Sequence, residues 1–511
     1  MTREWRFLRV GVVSVVAMLC WSSTASARDA VVTSFDGTPI VTHFYPSPFS
    51  DVGAPVPTVL VGPGWATPGY RTPDGNGGDR IGVANLRAAG FNVVTWDPRG
   101  FGGSGSVAQF NSPAYEARDV QSLIDYVAAQ PEALLDGPND PRVGMSGSSY
   151  GGAIQVVTAS IEPRLDALVA DLTWHSLIES FARDGNFKTG WLLNLCANGE
   201  LLGLTDGLTG PTGLQLGSVD QRFRTMCLEG NVTGTLSQAS RQWLESLGPG
   251  EHVGQIRAPT LLTQGTVDTL LPPGQAIENY DLLRSAGVPV KMLWYCGGHG
   301  TCKTPAGDPA KLGQTGLAWL RRWLARDETV STGPRFEWID DAGTWRSGPD
   351  YPLGAAGSLS AAGSGTLGLV PSLSITLGPI SIGTPILNVL KASYESPSEE
   401  ADVVGEPTLT LTYRGIALPS TTFVYAQVVD AATELVLGDQ VTPIPVVLDG
   451  AQHTVTRSLE AVAAHVRPTS NLRLELVPSA TIYGAQRSIG TITVQGMSST
   501  LPLVDATRSG R

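Results

Sequence analysis

The feature that most constrains this chain is a rhythm of short apolar runs with helical patterns between them. The runs are Thr58 to Val61, Phe91 to Trp96, Arg142 to Met145, Ala167 to Leu172, Thr260 to Leu262 and Val290 to Trp294. A typical intervening stretch is "AYEARDVQSLIDYVAAQ", in which Val120, Leu123, Ile124 and Val127 share one helical face. Strands that alternate with helices predict a mostly parallel sheet covered on both sides. Ahead of them, "AVVTSFDGTPIVTHFYP" holds two alternating apolar runs around Asp36-Gly37 and predicts a β-hairpin.

The rhythm breaks between Thr173 and Ile256, where about eighty residues separate one sheet strand from the next. An insertion of that length predicts a helical cap over the carboxyl edge of the sheet. After the helical "GLAWLRRWLARDE" the pattern changes again. From about Gly333 the runs are β-branched ("PTLTLTYRG", "TTFVYAQVVD", "HTVTRSL", "NLRLELVP", "GTITVQG") and turn residues separate them, which predicts a β-sandwich. The glycine- and serine-rich Gly354 to Gly368 reads as a flexible loop or linker. The fold class expected is therefore α/β with a cap, followed by an all-β domain. Its divisions are 1–27 (leader), 28–332 (α/β domain, cap insertion about 173–256) and 333–511 (sandwich).

The first residues, "MTREWRFLRVGVVSVVAMLCWSSTASA", join a basic start (Arg3, Arg6, Arg9) to an apolar run and to small residues at Ala25 and Ala27. This is the layout of a secretory signal peptide with cleavage expected after Ala27. The apolar run is shorter than the ~20 residues a spanning helix needs, so a secreted or cell-envelope protein without a stable membrane anchor is expected. Removing the leader's net +2 takes the formal charge from −12 to −14. An acidic mature chain argues against nucleic acid as a partner, because phosphates are neutralised by clustered Lys and Arg. Four cysteines remain after the leader: Cys196, Cys227, Cys296 and Cys302. In an oxidising compartment they favour two disulfides, and proximity pairs Cys296 with Cys302 and Cys196 with Cys227.

The chemistry gathers around "VGMSGSSYGGAIQ", Val143 to Gln155. Gly147-Ser148-Ser149-Tyr150-Gly151 meets the pattern G-x-S-x-G with Ser149 at its centre, between a strand and a helix. A sharp turn flanked by small residues is what lets a strained serine project its hydroxyl. A serine hydroxyl needs a base near neutral pH, normally a histidine held by a carboxylate. In this architecture the chain order is Ser, then Asp or Glu, then His. Of the six histidines, His299 in "LWYCGGHGTC" directly follows the last sheet strand and lies among glycines. Asp268 in "PTLLTQGTVDTLLPP" lies just past the preceding strand; Asp171 and Asp281 are its rivals.

The oxyanion of an acyl-transfer intermediate needs backbone N–H donors, each worth ~3 kcal/mol of barrier. One is expected from Tyr150, the residue after the nucleophile. The other is expected from the loop "VGPGWATPGY", with the N–H of Trp65 best placed and Gly64 as the alternative.

With "DPRGFGGSG", "GSSYGG", "GTVDTLLP" and "GGHG" in hand, the chain resembles an α/β-hydrolase. Tyr-Gly-Gly after the serine, the cap, and a tail opening "FEWIDDAGTWRSGPDYP" resemble the X-prolyl dipeptidyl peptidase and cocaine-esterase-like family. The resemblance implies a C-terminal jelly roll, with Ser149 as nucleophile, Asp268 as orienter and His299 as base. Cocaine-esterase-like members take a tyrosine hydroxyl from an R-T-P-Y-like loop into the oxyanion hole. Trp65 here cannot supply one, and Tyr70 lies farther along the loop.

The function expected is an exported serine hydrolase that cleaves ester or X-Pro peptide bonds of a small substrate through an acyl-enzyme. A carboxylesterase without peptidase activity and a non-catalytic cell-surface binding protein are the alternatives. A peptidase would need a carboxylate for the substrate's amino terminus, for which the cap offers Glu179, Asp184 and Glu200. An esterase needs an apolar acyl pocket, for which Trp174, Phe181, Trp191 and Leu192 are candidates. Nothing calls for a metal or organic cofactor. For the tail, polymer binding, shaping of the active-site entrance and homo-oligomerisation stay open.

Overall fold

A computed structural model of the chain describes residues 26–50, 54–75, 81–207, 218–371 and 388–505. The leader expected at 1–27 lies almost wholly outside the described residues. Among the described residues no helix is long and apolar enough to cross a membrane.

The apolar runs become the strands of one ten-stranded sheet. In chain order they are β1 (Arg28–Thr33), β2 (Pro39–Tyr45), β3 (Thr58–Gly62), β4 (Asn92–Trp96), β5 (Val143–Ser148), β6 (Leu165–Asp171), β7 (Thr260–Gly265), β8 (Val290–Tyr295), β9 (Phe336–Ile339) and β10 (Trp345–Gly348). Their spatial order is β1-β2-β4-β3-β5-β6-β7-β8-β9-β10. From β4 to β9 every pairing is parallel, and the β1–β2 hairpin and β10 close the two edges antiparallel. Every residue of β3, β4, β7 and β8 is buried, as expected for parallel strands covered on both faces. On one face, helix Glu116–Ala128 contributes Val120, Leu123, Ile124 and Val127 to the core, the stripe read from the sequence.

The break in the rhythm is a cap of helices, Leu177–Ala182, Thr189–Gly207, Gln221–Thr233 and Gln238–Glu245. Its core is aromatic: Phe187, Trp191, Phe223 and Trp243 pack with Phe110 and Tyr150 from beneath. A disulfide joins Cys196 to Cys227, tying two cap helices, and a second joins Cys296 to Cys302.

Two expectations for the second half need correction. The expected boundary at 333 falls inside the first domain, because β9 pairs in parallel with β8 and its hairpin partner β10 extends the sheet. "FEWI" is buried throughout, with Phe336 and Trp338 in the first core and Glu337 paired with Lys291 and Lys311, so it completes the older core rather than opening the new one. The stretch read as a linker is a fifteen-residue strand, β11 (Ala355–Leu369), antiparallel to β18 (Ile489–Asp505). Its small residues hide a period of two in which Leu359, Ala361, Leu367 and Leu369 face the core.

The remaining strands are β12 (Leu390–Ser393), β13 (Ala401–Gly405), β14 (Thr408–Asp430), β15 (Leu435–Ser458), β16 (Val462–Val466) and β17 (Leu472–Val477), all paired antiparallel. β14 fuses two runs that the sequence shows separately. Its first half pairs with β18 and its second with β17, with register shifts between, so one strand serves both halves of the sandwich.

Candidate active site

Strand β5 runs into helix Tyr150–Ala159 with Ser149 as the single residue between them. Ser149 has φ 59° and ψ −117°. A side chain in such a backbone costs about 1–3 kcal/mol and persists only where its surroundings enforce it. They do so by contact: a Cβ at Gly151 would lie 2.1 Å from the carbonyl oxygen of Gly62. Only glycine lets the elbow press against the loop after β3, the loop expected to carry an oxyanion donor.

The structure brings the three residues of the expected triad together. Ser149 Oγ lies 2.8 Å from His299 Nε2, and His299 Nδ1 lies 2.6 Å from Asp268 Oδ2. Asp268 is fully buried. Its Oδ2 also accepts the His299 N–H at 3.1 Å, and its Oδ1 accepts the N–H groups of Leu270 and Leu271 at 3.0 and 2.8 Å. A carboxylate held by this many donors cannot swing, so it fixes the ring of His299 with Nε2 toward the serine. Glycine again permits the approach, since a Cβ at Gly298 (φ 114°) would lie 2.6 Å from Asp268 Cβ. Neither rival is the carboxylate on the His299 ring, although Asp171 lines the same cavity. Asp171 accepts the hydroxyls of Thr263 (2.8 Å) and Tyr295 (3.1 Å), and Asp281 sits on helix Gly274–Ser285, 3.8 Å from Arg284.

Tyr150 occupies the first turn of its helix, where backbone N–H groups have no intrahelical acceptor. Its side chain anchors the turn from behind: its hydroxyl accepts the Asn111 N–H (3.2 Å) and donates to Glu116 (3.3 Å), and its carbonyl accepts Asn111 Nδ2 (2.7 Å). Burial, reinforced by the nearby charge of Asp119, pushes the Glu116 carboxyl up to about 7. The Trp65 indole is held by other aromatic rings and by the cap. The ring packs against Phe101, Phe110, Tyr150 and Phe223, and its Nε1 donates to Leu195 of the cap at 3.0 Å. Gly62 to Trp65 line a cavity together with Ser149 and His299. The motif "DPRGFGGSG" supports this loop: buried Asp97 accepts the N–H of Gly69 (2.9 Å) and of Gly103 (2.8 Å) and pairs with Arg71 at 3.0 Å.

The cavity holds about 610 Å³ and is mainly apolar, with Tyr70, Ile81, Leu172, Leu195 and Leu312 in its wall. Trp174, Phe181, Trp191 and Leu192, the candidates for its lining, are buried in the cap's own core. The cap reaches the cavity one turn later, through Leu195 and Asn198. Nor do the acidic candidates for an amine site reach it. Glu179 lines a separate cavity, Asp184 pairs with Arg457 and Glu200 with Arg224.

Residues missed in the sequence lie behind Asp268. Lys188 Nζ donates to the carbonyls of Thr269 (2.9 Å) and Leu270 (3.3 Å), and Trp191 Nε1 donates to Thr269 Oγ1 (2.9 Å) while its ring stands edge-on to His299. From the sandwich, Gln440 Nε2 donates to the carbonyls of Thr266 (3.2 Å) and Asp268 (3.0 Å). No spacing links these residues to Asp268 along the chain, so no sequence pattern announces them.

A parallel sheet, a strained serine between strand and helix, and a histidine and aspartate on the next loops define a serine hydrolase of the α/β-hydrolase fold. The profile of the X-Pro dipeptidyl-peptidase (S15) family matches residues 36–301, more than half of the chain, and the chain belongs to that family. No curated protein sequence matches it significantly. Among solved structures it is similar over its whole length to an aminopeptidase from the marine sediment archaeon Thaumarchaeota archaeon (TM-score 0.69, 14% identity, 98% of this chain and 99% of that one). An α-amino acid ester hydrolase gives TM-score 0.66 at 14% identity over 97% and 98% of the two chains. A CocE/NonD family hydrolase from Staphylococcus aureus gives 0.62 at 13% over 94% and 97%. At these identities the likeness is one of fold, and it takes in cap and sandwich as well as the sheet.

Proposed function

We propose that the protein is an exported hydrolase that cleaves an ester or peptide bond through an acyl-enzyme on Ser149. The observation that carries this reading is the unbroken line Ser149 Oγ, His299, Asp268, with contacts of 2.8 and 2.6 Å, at the wall of a mainly apolar cavity. Ser149 attacks the substrate carbonyl as His299 Nε2 takes its proton, and Asp268 stabilises the imidazolium that forms. The N–H groups of Tyr150 and Trp65 receive the oxyanion. His299 then protonates the leaving oxygen or nitrogen, and a water activated by the same ring releases the acid. Export is supported by the basic-apolar-small leader and by the two disulfides.

Within this reading the carboxylesterase variant has a specific observation in its favour: none of Glu179, Asp184 and Glu200 lines the cavity, and the one carboxylate among its described lining residues, Asp171, already accepts the hydroxyls of Thr263 and Tyr295. The test compares kcat/KM for a dipeptidyl-proline anilide and a short-chain aryl ester, with Ser149→Ala as blank. Ester turnover alone makes the protein a carboxylesterase; anilide turnover that disappears in the blank makes it an exopeptidase. Equal rates in enzyme and blank overturn the proposal.

A further inference from the structure

The loop Thr266–Leu271 carries Asp268, and its outward carbonyls are taken by the rest of the molecule. Gln440 of the sandwich binds two of them and Lys188 of the cap binds the next two. Lys188 is almost fully buried, at 2% exposure. A lysine side chain so placed gives up its hydration, and it stays charged only if the groups around it replace water. Those groups are the two carbonyls, Glu460 from the sandwich, Asp268 from the loop itself and Glu179 from the cap, while Arg183 nearby opposes the charge.

We propose that Lys188 is a positioning residue for hydrolysis: its ammonium group, held by the carbonyls of Thr269 and Leu270, sets the turn whose N–H groups at Leu270 and Leu271 orient Asp268. The inference rests on Asp268 being the residue that orients His299. The geometry is continuous, because the three residues whose carbonyls or N–H groups take part, Thr269, Leu270 and Leu271, follow Asp268 directly. Trp191, one turn beyond Lys188, holds the Thr269 hydroxyl and flanks the His299 ring, so a single cap turn braces both acid and base. Burial brings the Lys188 ammonium down to about 8 against the attraction of Glu460 and Asp268. Above that pH the amine loses its charge, its bonds to the carbonyls weaken to neutral ones, and the turn loosens.

Activity and stability then respond in opposite directions. The folded chain holds the lysine proton less tightly than the unfolded one, so between about 8 and the ordinary lysine value of 10.5 the unfolded state binds more protons. In that window Lys188's contribution to stability rises with pH. Turnover lost there is not unfolding.

The experiment follows kcat, KM and Tm for an aryl ester from about pH 6 to about pH 10 in the wild type, Lys188→Met and Lys188→Arg. In the wild type kcat is expected to fall above about pH 8 with KM within about twofold and no matching fall in Tm. Lys188→Met is expected to lower kcat about 10- to 100-fold at neutral pH and to lack the alkaline limb. Arginine keeps its charge throughout, so Lys188→Arg removes the limb as well and serves if the methionine variant does not fold. In an Asp268→Asn background Lys188→Met should add less than about twofold, since it acts through Asp268. A wild-type kcat flat to about pH 10, or a limb unchanged in either folded variant, overturns the inference. Undiminished turnover in Ser149→Ala strikes instead at the triad on which it rests.

Discussion

Ser149 and Asp268 stand at the carboxyl ends of strands in one sheet, yet they are held by opposite means. The serine turn is a local construction: strand, strained residue and helix are contiguous, and Gly151 lets them close on the loop beside them. The aspartate loop is held from a distance. Lys188 reaches it across 81 positions and Gln440 across 172, one from the cap and one from the sandwich. The proposed nucleophile is therefore a property of a short segment, whereas its proposed acid partner is a property of the assembled chain. Insertions that look like accessories to the sheet complete its least local part.

The sharpest way to break this comparison is to remove the chemistry at each end. Ser149→Ala and His299→Ala should each lower kcat by about 10³- to 10⁶-fold with Tm within a few degrees of wild type, and Asp268→Asn by about 10⁴-fold. Retained turnover in any of the three, measured on purified protein, refutes the assignment of that residue. Gly151→Ala tests whether the elbow is truly local. Its Cβ meets backbone rather than a flexible side chain, so a stability loss of about 3 kcal/mol is expected in chemical denaturation, with turnover largely lost. Gln440→Leu tests the distant grip. It strips two buried carbonyls of their donor, and should cost about 2 kcal/mol of stability and about tenfold in kcat, with KM little changed. An unchanged kcat would show the sandwich to be a bystander. The smallest effect is expected from Trp191→Phe, which keeps the ring beside His299 and loses one hydrogen bond to Thr269: about 1 kcal/mol, and less than about fivefold in kcat.

The same contrast explains what could be read from the sequence. The sheet was legible because buried parallel strands are apolar throughout, and the triad because each member follows its strand within a few residues. The linker reading of Gly354 to Gly368 failed because alternation among Ala, Gly and Ser carries little hydrophobic contrast, although its leucines face inward. The boundary at 333 failed because β9 and β10 are β-rich like the tail, and only their pairing shows which sheet they complete. The cap aromatics are open to either reading, pocket wall or cap core, since composition cannot say which face of a helix meets its neighbours. In the fold they pack inward, and Leu195 and Asn198 meet the cavity instead. Lys188 and Gln440 carry no motif at all.

The bond between Cys196 and Cys227 spans a separation of 31 residues within the cap. A protease that cuts once anywhere between these cysteines leaves two polypeptides but one covalent molecule. The helix that begins just after Lys188 and bears Trp191 stays joined to the helix opposite it, and with them the brace on the acid loop. Cleavage there would be visible only after reduction, and the cut enzyme would still turn over.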